Sequence, residues 1–178
     1  MEKKYRKIFI TVGTTRFDRL IESLLMPNVI SALQQIGCEQ LTIQYGRYND
    51  LDQLNLFQML PNISVKLFDY DYKSFEKYLQ NSDLIIGHAG AGTVLEALRM
   101  NKSLLIVINN DLMDNHQQEL ADELAENNYV QCTDIENFPN ILCKFNTKNI
   151  RPFPIHNPLL FRNFIQNLFN QETTTTTT

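Results

Sequence analysis

The fold is decided by residues 82–96, which read Ser82-Asp83-Leu84-Ile85-Ile86-Gly87-His88-Ala89-Gly90-Ala91-Gly92-Thr93-Val94-Leu95-Glu96. The apolar run predicts a buried strand that ends at Gly87 or His88, and a helical pattern begins near Gly92 or Thr93. A strand, a loop of small residues and a helix in this order are typical of layered α/β sheets.

The same alternation of apolar runs and amphipathic stretches extends along the chain. The other predicted strands are Ile8–Val12, Leu41–Tyr45, Ile63–Phe68, Leu104–Ile108 and a weaker one near Tyr129–Cys132. Several of these runs are apolar at every position, as expected of parallel strands that are covered on both faces. We therefore expect an α/β fold with a Rossmann-like open, mostly parallel sheet and helices on both faces.

Helices are predicted between the strands from the 3.6-residue spacing of apolar positions. Asp18–Ile36 carries one apolar stripe with a kink or restart at Pro27, and Gly37 stops it. Further helices are expected over Thr93–Met100 and Asn115–Glu126, whereas residues 47–60 indicate a loop or a short helix. We predict a single domain over residues 1–170.

The end of the chain differs from the rest. Residues 157–170 have a strongly apolar helical face, and residues 171–178 form a threonine-rich tail that we expect to be disordered. The apolar helix is a candidate for docking to a partner, with packing against its own sheet as the alternative.

Composition narrows the class of protein. The 178 residues are 43% hydrophobic and 20% charged with a net charge of −4, which argues against a nucleic-acid binder. The longest strictly apolar run, Leu104–Ile108, is far shorter than the roughly 20 residues of a membrane-spanning helix. The three cysteines form no CxxC pair, which favours reduced thiols in the cytoplasm.

The loop at Gly90 and Gly92 has the pattern of an anion site. Backbone N–H groups at a helix N-terminus carry partial positive charge, and glycines let a phosphate approach the main chain. Glu96, one turn into the helix, suits a ribose diol. In the alternative interpretation, the glycines only form a tight turn and Glu96 offsets the helix dipole.

Two more loops follow strands on the same predicted edge of the sheet. The turn at Gly13 and Thr14 matches neither GxGxxG nor a P-loop, and it is either part of the site or a simple turn. The second strand ends at Gln44 without the acidic residue of a dinucleotide site, which counts against NAD. The amide-rich segment 109–118 suits a sugar, or it forms an ordinary helix cap with solvated glutamines.

The candidate acid–base residues are two histidines near these loops. Either His88 or His116 is a candidate general base, although a histidine in such a loop is as often structural. The triplet Asp69-Tyr70-Asp71 has the form of a metal-chelating DxD, but no further ligand is nearby in sequence. We expect neither a metal nor a cofactor.

The combination of motifs resembles one family over about residues 7–169. The segments that carry the resemblance are His88–Thr93, Asp111–Gln118 and Pro152–Pro158. They look like the small catalytic subunit of the two-subunit UDP-N-acetylglucosamine transferase, which adds the second sugar of the dolichol-linked oligosaccharide. The wider relatives are GT-B glycosyltransferases, and this chain is similar to their C-terminal, donor-binding half.

The resemblance implies a donor site for UDP-N-acetylglucosamine. His88 and the loop Gly90, Gly92 and Thr93 would hold the diphosphate, and Glu96 would bind the ribose. Gln117 and Gln118 would bind the hydroxyls of the donor sugar, and Asn115 is a further candidate donor-binding residue. Gly13 and Thr14 would line the crevice facing the acceptor.

The resemblance also implies a heterodimer with a membrane-anchored subunit that supplies the acceptor side and binds a lipid-diphosphate sugar. The chain would then be cytoplasmic and recruited by its partner to the cytosolic face of the endoplasmic reticulum. A nicotinamide-dependent oxidoreductase, a non-catalytic scaffold subunit and a transferase for another UDP-sugar are the rival interpretations.

Overall fold

Six parallel strands form one sheet in the computed structural model, which describes residues 5–109 and 115–154. The strands are β1 Lys7–Thr11, β2 Gln40–Gln44, β3 Ser64–Phe68, β4 Leu84–Gly87, β5 Ser103–Val107 and β6 Gln131–Thr133. Their order in the sheet is β3-β2-β1-β4-β5-β6, and every neighbouring pair is parallel. This order is that of a Rossmann-like doubly wound sheet, so the predicted fold class is confirmed.

Helices connect the strands. They are α1 Asp18–Ser23, α2 Pro27–Gln35, α3 Leu51–Leu56 with a 3-10 turn over Phe57–Met59, α4 Phe75–Asn81, α5 Ala91–Arg99, α6 Asn115–Glu126 and α7 Phe138–Cys143. The restart at Pro27 and the stop at Gly37, whose φ is +86°, are confirmed. Helices α4 and α7 were not predicted from the sequence.

Two hydrophobic layers hold the helices on the sheet. On one face, Ile8 and Ile10 of β1 pack with residues of α1, α2 and α7. On the other face, Phe9 packs with residues of α4, α5 and α6. Because each fully buried side chain of this size contributes about 1.5–3 kcal/mol, the two layers fix the ends of the strands in space.

An aromatic cluster anchors the start of α4 to the second layer. The Phe9 ring lies 5.7 Å from that of Phe75 and 5.6 Å from that of Tyr78, and Tyr78 stacks on Phe68 at 4.7 Å. These contacts hold the first turn of α4 close to the carboxyl end of β1.

The strand order reverses between β1 and β4. Thr11 and Gly87 are paired at the carboxyl ends of these strands, and the loops that follow diverge to opposite faces. Ligands of open α/β sheets bind in the crevice at such a switch point.

Several predictions fall on residues 110–114 and 155–178, which lie outside the described residues. They include the apolar helix at 157–170 and the threonine tail at 171–178. Within residues 5–109 and 115–154, no helix combines the length and the apolar character needed to cross a membrane.

Candidate functional site

A cleft of about 360 Å³ opens at the switch point. Its lining residues are Gly13, Thr14, Thr15, Gln44, Asp71, Tyr72, Phe75, His88, Gly90, Ala91, Gly92, Thr93 and Glu96. The structure therefore brings together seven residues that the sequence analysis had placed in one site: Gly13, Thr14, His88, Gly90, Gly92, Thr93 and Glu96.

The N-terminus of α5 forms one wall of the cleft. Gly90 is the N-cap residue, and its carbonyl accepts the first helical bond from the Val94 N–H at 3.1 Å. The N–H groups of residues 91–93 precede this bond, so the helix itself offers them no acceptor. This end of the helix carries no side-chain cap. Three donors and the positive end of the helix dipole thus meet at the cleft.

The two glycines of this bend have different surroundings. An added Cβ at Gly92 would meet no atom within 4 Å, so the backbone there is open to a ligand. An added Cβ at Gly90 would lie 2.6 Å from His88 Nε2. Gly92 therefore leaves space in the cleft, whereas Gly90 leaves space for an imidazole.

His88 lies at the base of the cleft, between the loops that follow β1 and β4. Its side chain packs against both Gly13 and Gly90, and the residue is 5% exposed. Burial lowers the pKa of His88, although a contact with the Thr11 backbone acts in the opposite direction. Nδ1 is buried and has no hydrogen-bond partner within the described residues. Burial therefore favours the neutral imidazole, which packs between the two loops.

Hydrogen bonds hold the loop after β1 in place. Gly13 has a φ of +58°, a conformation that favours glycine, and its N–H donates to Thr11 Oγ1 at 3.1 Å. The Thr11 hydroxyl in turn donates to Oε1 of the buried Gln44 at the end of β2. The bend at Gly13 is thus tied to two strands.

The opposite wall comes from the loop between β3 and α4. The Asp71 carboxylate accepts hydrogen bonds from the Ser74 N–H and the Tyr78 hydroxyl, both at 3.1 Å. Partial desolvation alone would raise the pKa of Asp71, but these bonds and the nearby Lys66 lower it on balance. Asp71 therefore presents a carboxylate to the cleft.

Four residues that line this cleft were not predicted from the sequence, namely Gln44, Asp71, Tyr72 and Phe75. Their only sequence signals were the end of a predicted strand at Gln44 and the acidic triplet that contains Asp71. Neither signal shows which residues share a cleft, because that depends on the order of the strands.

The amide-rich segment after β5 is described only in part. Asn109 Nδ2 donates to the Arg16 carbonyl at 3.2 Å, which ties this segment to the loop after β1. Asn115, His116 and Gln117 lie at the start of α6, with only their backbone described, and Gln118 is exposed. Their roles stay predictions. No cluster of three potential metal ligands occurs in the part of the chain that the structure describes.

Comparison with known proteins gives a family for this fold and site. Residues 7–157 match the glycosyltransferase family 28 C-terminal domain. The chain therefore belongs to this family, and the expected glycosyltransferase domain is confirmed.

Two curated relatives share the name "UDP-N-acetylglucosamine transferase subunit ALG13". The Saccharomyces cerevisiae protein is 30% identical over 93% of this chain and 97% of its own length. The Homo sapiens protein is 40% identical over 71% of this chain, which matches only 11% of that longer protein. The predicted resemblance to the small transferase subunit is thereby confirmed.

Solved structures show the same architecture. The NMR solution structure of ALG13 is 29% identical with a TM-score of 0.67, over 94% of this chain and 98% of that one. MurG from Acinetobacter baumannii has a TM-score of 0.64 at 23% identity, over 84% of this chain but 44% of that one. The second similarity shows the fold alone and places it in less than half of a larger chain.

Proposed function

We propose that this chain is the catalytic, donor-binding subunit of an inverting N-acetylglucosaminyltransferase. It moves N-acetylglucosamine from UDP-N-acetylglucosamine to N-acetylglucosaminyl-diphosphodolichol, the second sugar step of N-glycan precursor assembly. The observation that carries the proposal is the uncapped N-terminus of α5, which lines the cleft with Gly92 open and with Glu96 one turn further along. The names of the relatives support the identity of the sugar.

The donor binds with its diphosphate against residues 90–93. Backbone N–H groups bond to the phosphate oxygens, and Gly92 lets them approach because it has no side chain. The Glu96 carboxylate accepts hydrogen bonds from the ribose hydroxyls. Asn115, Gln117 and Gln118 bind the hydroxyls of the transferred sugar.

The reaction is a displacement at the anomeric carbon. An acceptor hydroxyl oxygen attacks this carbon from the face opposite the leaving group, and the bond to the diphosphate oxygen breaks. UDP leaves with the electron pair, and its growing negative charge is stabilised by the N–H groups of α5. These donors let the reaction proceed without a metal ion.

The hydroxyl proton passes to a general base that is not assigned. Burial favours the neutral form of His88, which is able to accept a proton, but the same burial favours a role in holding the loops. His116, the nearby Asp114 of the amide-rich segment and a residue of the partner are the other candidates.

The acceptor side belongs to a partner. Transfer needs a donor and an acceptor held across one cleft, since positioning supplies much of the rate. The word "subunit" in the relatives' names supports a second polypeptide. We propose a membrane-anchored subunit that binds the lipid-diphosphate sugar and recruits this chain to the cytosolic face of the endoplasmic reticulum.

The test is a transfer assay on the complex assembled from this chain and membrane partners. Glu96→Ala and Gln118→Ala should each lower transfer of N-acetylglucosamine while the complex still assembles. Full transfer by both variants would instead support a scaffold subunit. Transfer from a different UDP-sugar would correct the donor, and binding of NAD without UDP-sugar binding would refute the assignment.

A further inference from the structure

Gln44 is a polar side chain buried under the cleft that the proposed roles leave unused. It lies at the carboxyl end of β2, is 4% exposed and lines the cleft beside the loop at Gly13. A buried amide normally has partners for both its carbonyl and its NH₂ group, because leaving either unpaired costs free energy. A group of the Gln44 amide that has no partner in the protein therefore indicates a ligand atom that it could bind.

The carbonyl of Gln44 is already paired. The Thr11 hydroxyl accepts the Gly13 N–H and donates its single proton to Gln44 Oε1. Thr11 and Gln44 face each other in the register of β1 and β2, so the bond is held by the sheet itself. This arrangement holds the amide oxygen and turns the NH₂ group away from Thr11. Nε2 of Gln44 donates no hydrogen bond to any residue within 5–109 and 115–154.

We propose that Gln44 Nε2 binds a neutral acceptor oxygen of the nucleotide sugar, and that Thr11 is its positioning residue. This inference rests on the proposed donor site. The carboxyl ends of β2 and β4 are separated by β1, and two strand spacings are about 10 Å. The oxygen that Gln44 binds therefore belongs to the uridine or the sugar rather than to the diphosphate held at α5.

Calorimetric titration of the full chain with UMP, UDP and UDP-N-acetylglucosamine tests the inference. Gln44→Met keeps the length of the side chain but removes the donor, and it should weaken UDP-N-acetylglucosamine binding about tenfold. Gln40→Met, at the exposed start of the same strand, is the matched control and should bind as the wild type does.

The three ligands identify the oxygen. An equal loss for all three places it on the uridine, and a loss for UDP-N-acetylglucosamine alone places it on the sugar. A loss that first appears with UDP and does not grow further would place it on the second phosphate and overturn the assignment. Unchanged binding of all three by Gln44→Met would overturn the inference as a whole.

Further variants test the inference if Gln44→Met does not fold. Gln44→Glu retains an acceptor for the Thr11 hydroxyl but replaces the donor with a charged oxygen, and it should bind more weakly than the wild type. Thr11→Val should also weaken binding, and Thr11→Ser, which restores the hydroxyl, should recover it. Equal weakening by Val and Ser would refute the positioning role.

The titrations also distinguish a failure of the proposed donor site from a failure of the role assigned to Gln44. A wild-type chain that binds no uridine nucleotide would contradict the proposed donor site. A wild-type chain that binds, together with a Gln44→Met variant of equal affinity, would contradict only the assignment of Gln44.

Discussion

Replacing Gly92 with alanine should change the stability of the protein and its affinity for UDP-N-acetylglucosamine in different directions. Gly92 is the second residue of α5, and an added Cβ there would enter the cleft without meeting any protein atom within 4 Å. The methyl group therefore makes no steric clash that would destabilise the ligand-free protein. In the proposed donor site, it lies where a phosphate would approach the backbone.

The two effects have opposite signs. Alanine in place of a helical glycine stabilises by about 0.5–1 kcal/mol, which for a domain of this size raises Tm by about 1–4 °C. Loss of one hydrogen bond to a charged phosphate costs binding about 1.5–3 kcal/mol, or about 10- to 150-fold in Kd. We expect a variant that is at least as stable as the wild type and binds UDP-N-acetylglucosamine far more weakly.

Thermal unfolding and calorimetric titration of the same preparation measure both quantities. Gly90→Ala provides the contrast, because its Cβ would lie 2.6 Å from His88 Nε2 and should lower both stability and binding. Wild-type affinity in a folded Gly92→Ala variant would refute the reasoning, since the phosphates would then not approach this part of α5.

Three further predictions concern Glu96 and His88. Glu96→Gln should weaken UDP-N-acetylglucosamine binding about tenfold by removing a charged acceptor, whereas Glu126→Gln, at an exposed position of α6, should leave it unchanged. Equal affinities of the two variants would exclude the ribose role. In an NMR titration, His88 should show a pKa below the ordinary 6.5 because burial disfavours its charged form, and a midpoint at or above 6.5 would contradict this burial. Since its folded pKa lies below its unfolded value, the stability it contributes should be present above about pH 6.5 and decline as pH falls towards the folded pKa. Urea unfolding of the wild type should therefore lose more stability between pH 7 and pH 5.5 than that of His88→Gln, and parallel losses would exclude the effect.

The strands were predictable because their own residues determine them. Runs such as Leu104–Ile108 are apolar at every position and have no alternative to burial between two layers, and β5 is shifted from this run by a single residue at each end. The strand predicted near Tyr129–Cys132 begins only at Gln131, because only its last residues pair with β5.

Helices α4 and α7 were not predicted because they depend on contacts with residues that are distant in the sequence. Helix α4 is short, and its burial comes from the rings of Phe75 and Tyr78, which pack on Phe9 of a distant strand. Helix α7 contains Pro139 near its start, where a proline is tolerated because that N–H would have no helical acceptor.

Some residues of the candidate site could be predicted from local sequence, and others could not. Glycines between a strand and a helix are a local signal, and they correctly indicated the bend at residues 90–92. Gln44 and Asp71 reach the cleft only because β2 lies beside β1 and β3 lies beside β2. A single sequence contains the local glycine pattern, but it does not contain the order of the strands in the sheet.

Backbone amide shifts measured while the ¹⁵N-labelled chain is titrated with UDP-N-acetylglucosamine test the donor site most directly. The largest changes should fall on the N–H groups of residues 91–93, followed by Gly13 and Glu96. Changes confined to a remote segment such as α3, with the amides of residues 91–93 unmoved at saturation, would contradict the proposed site.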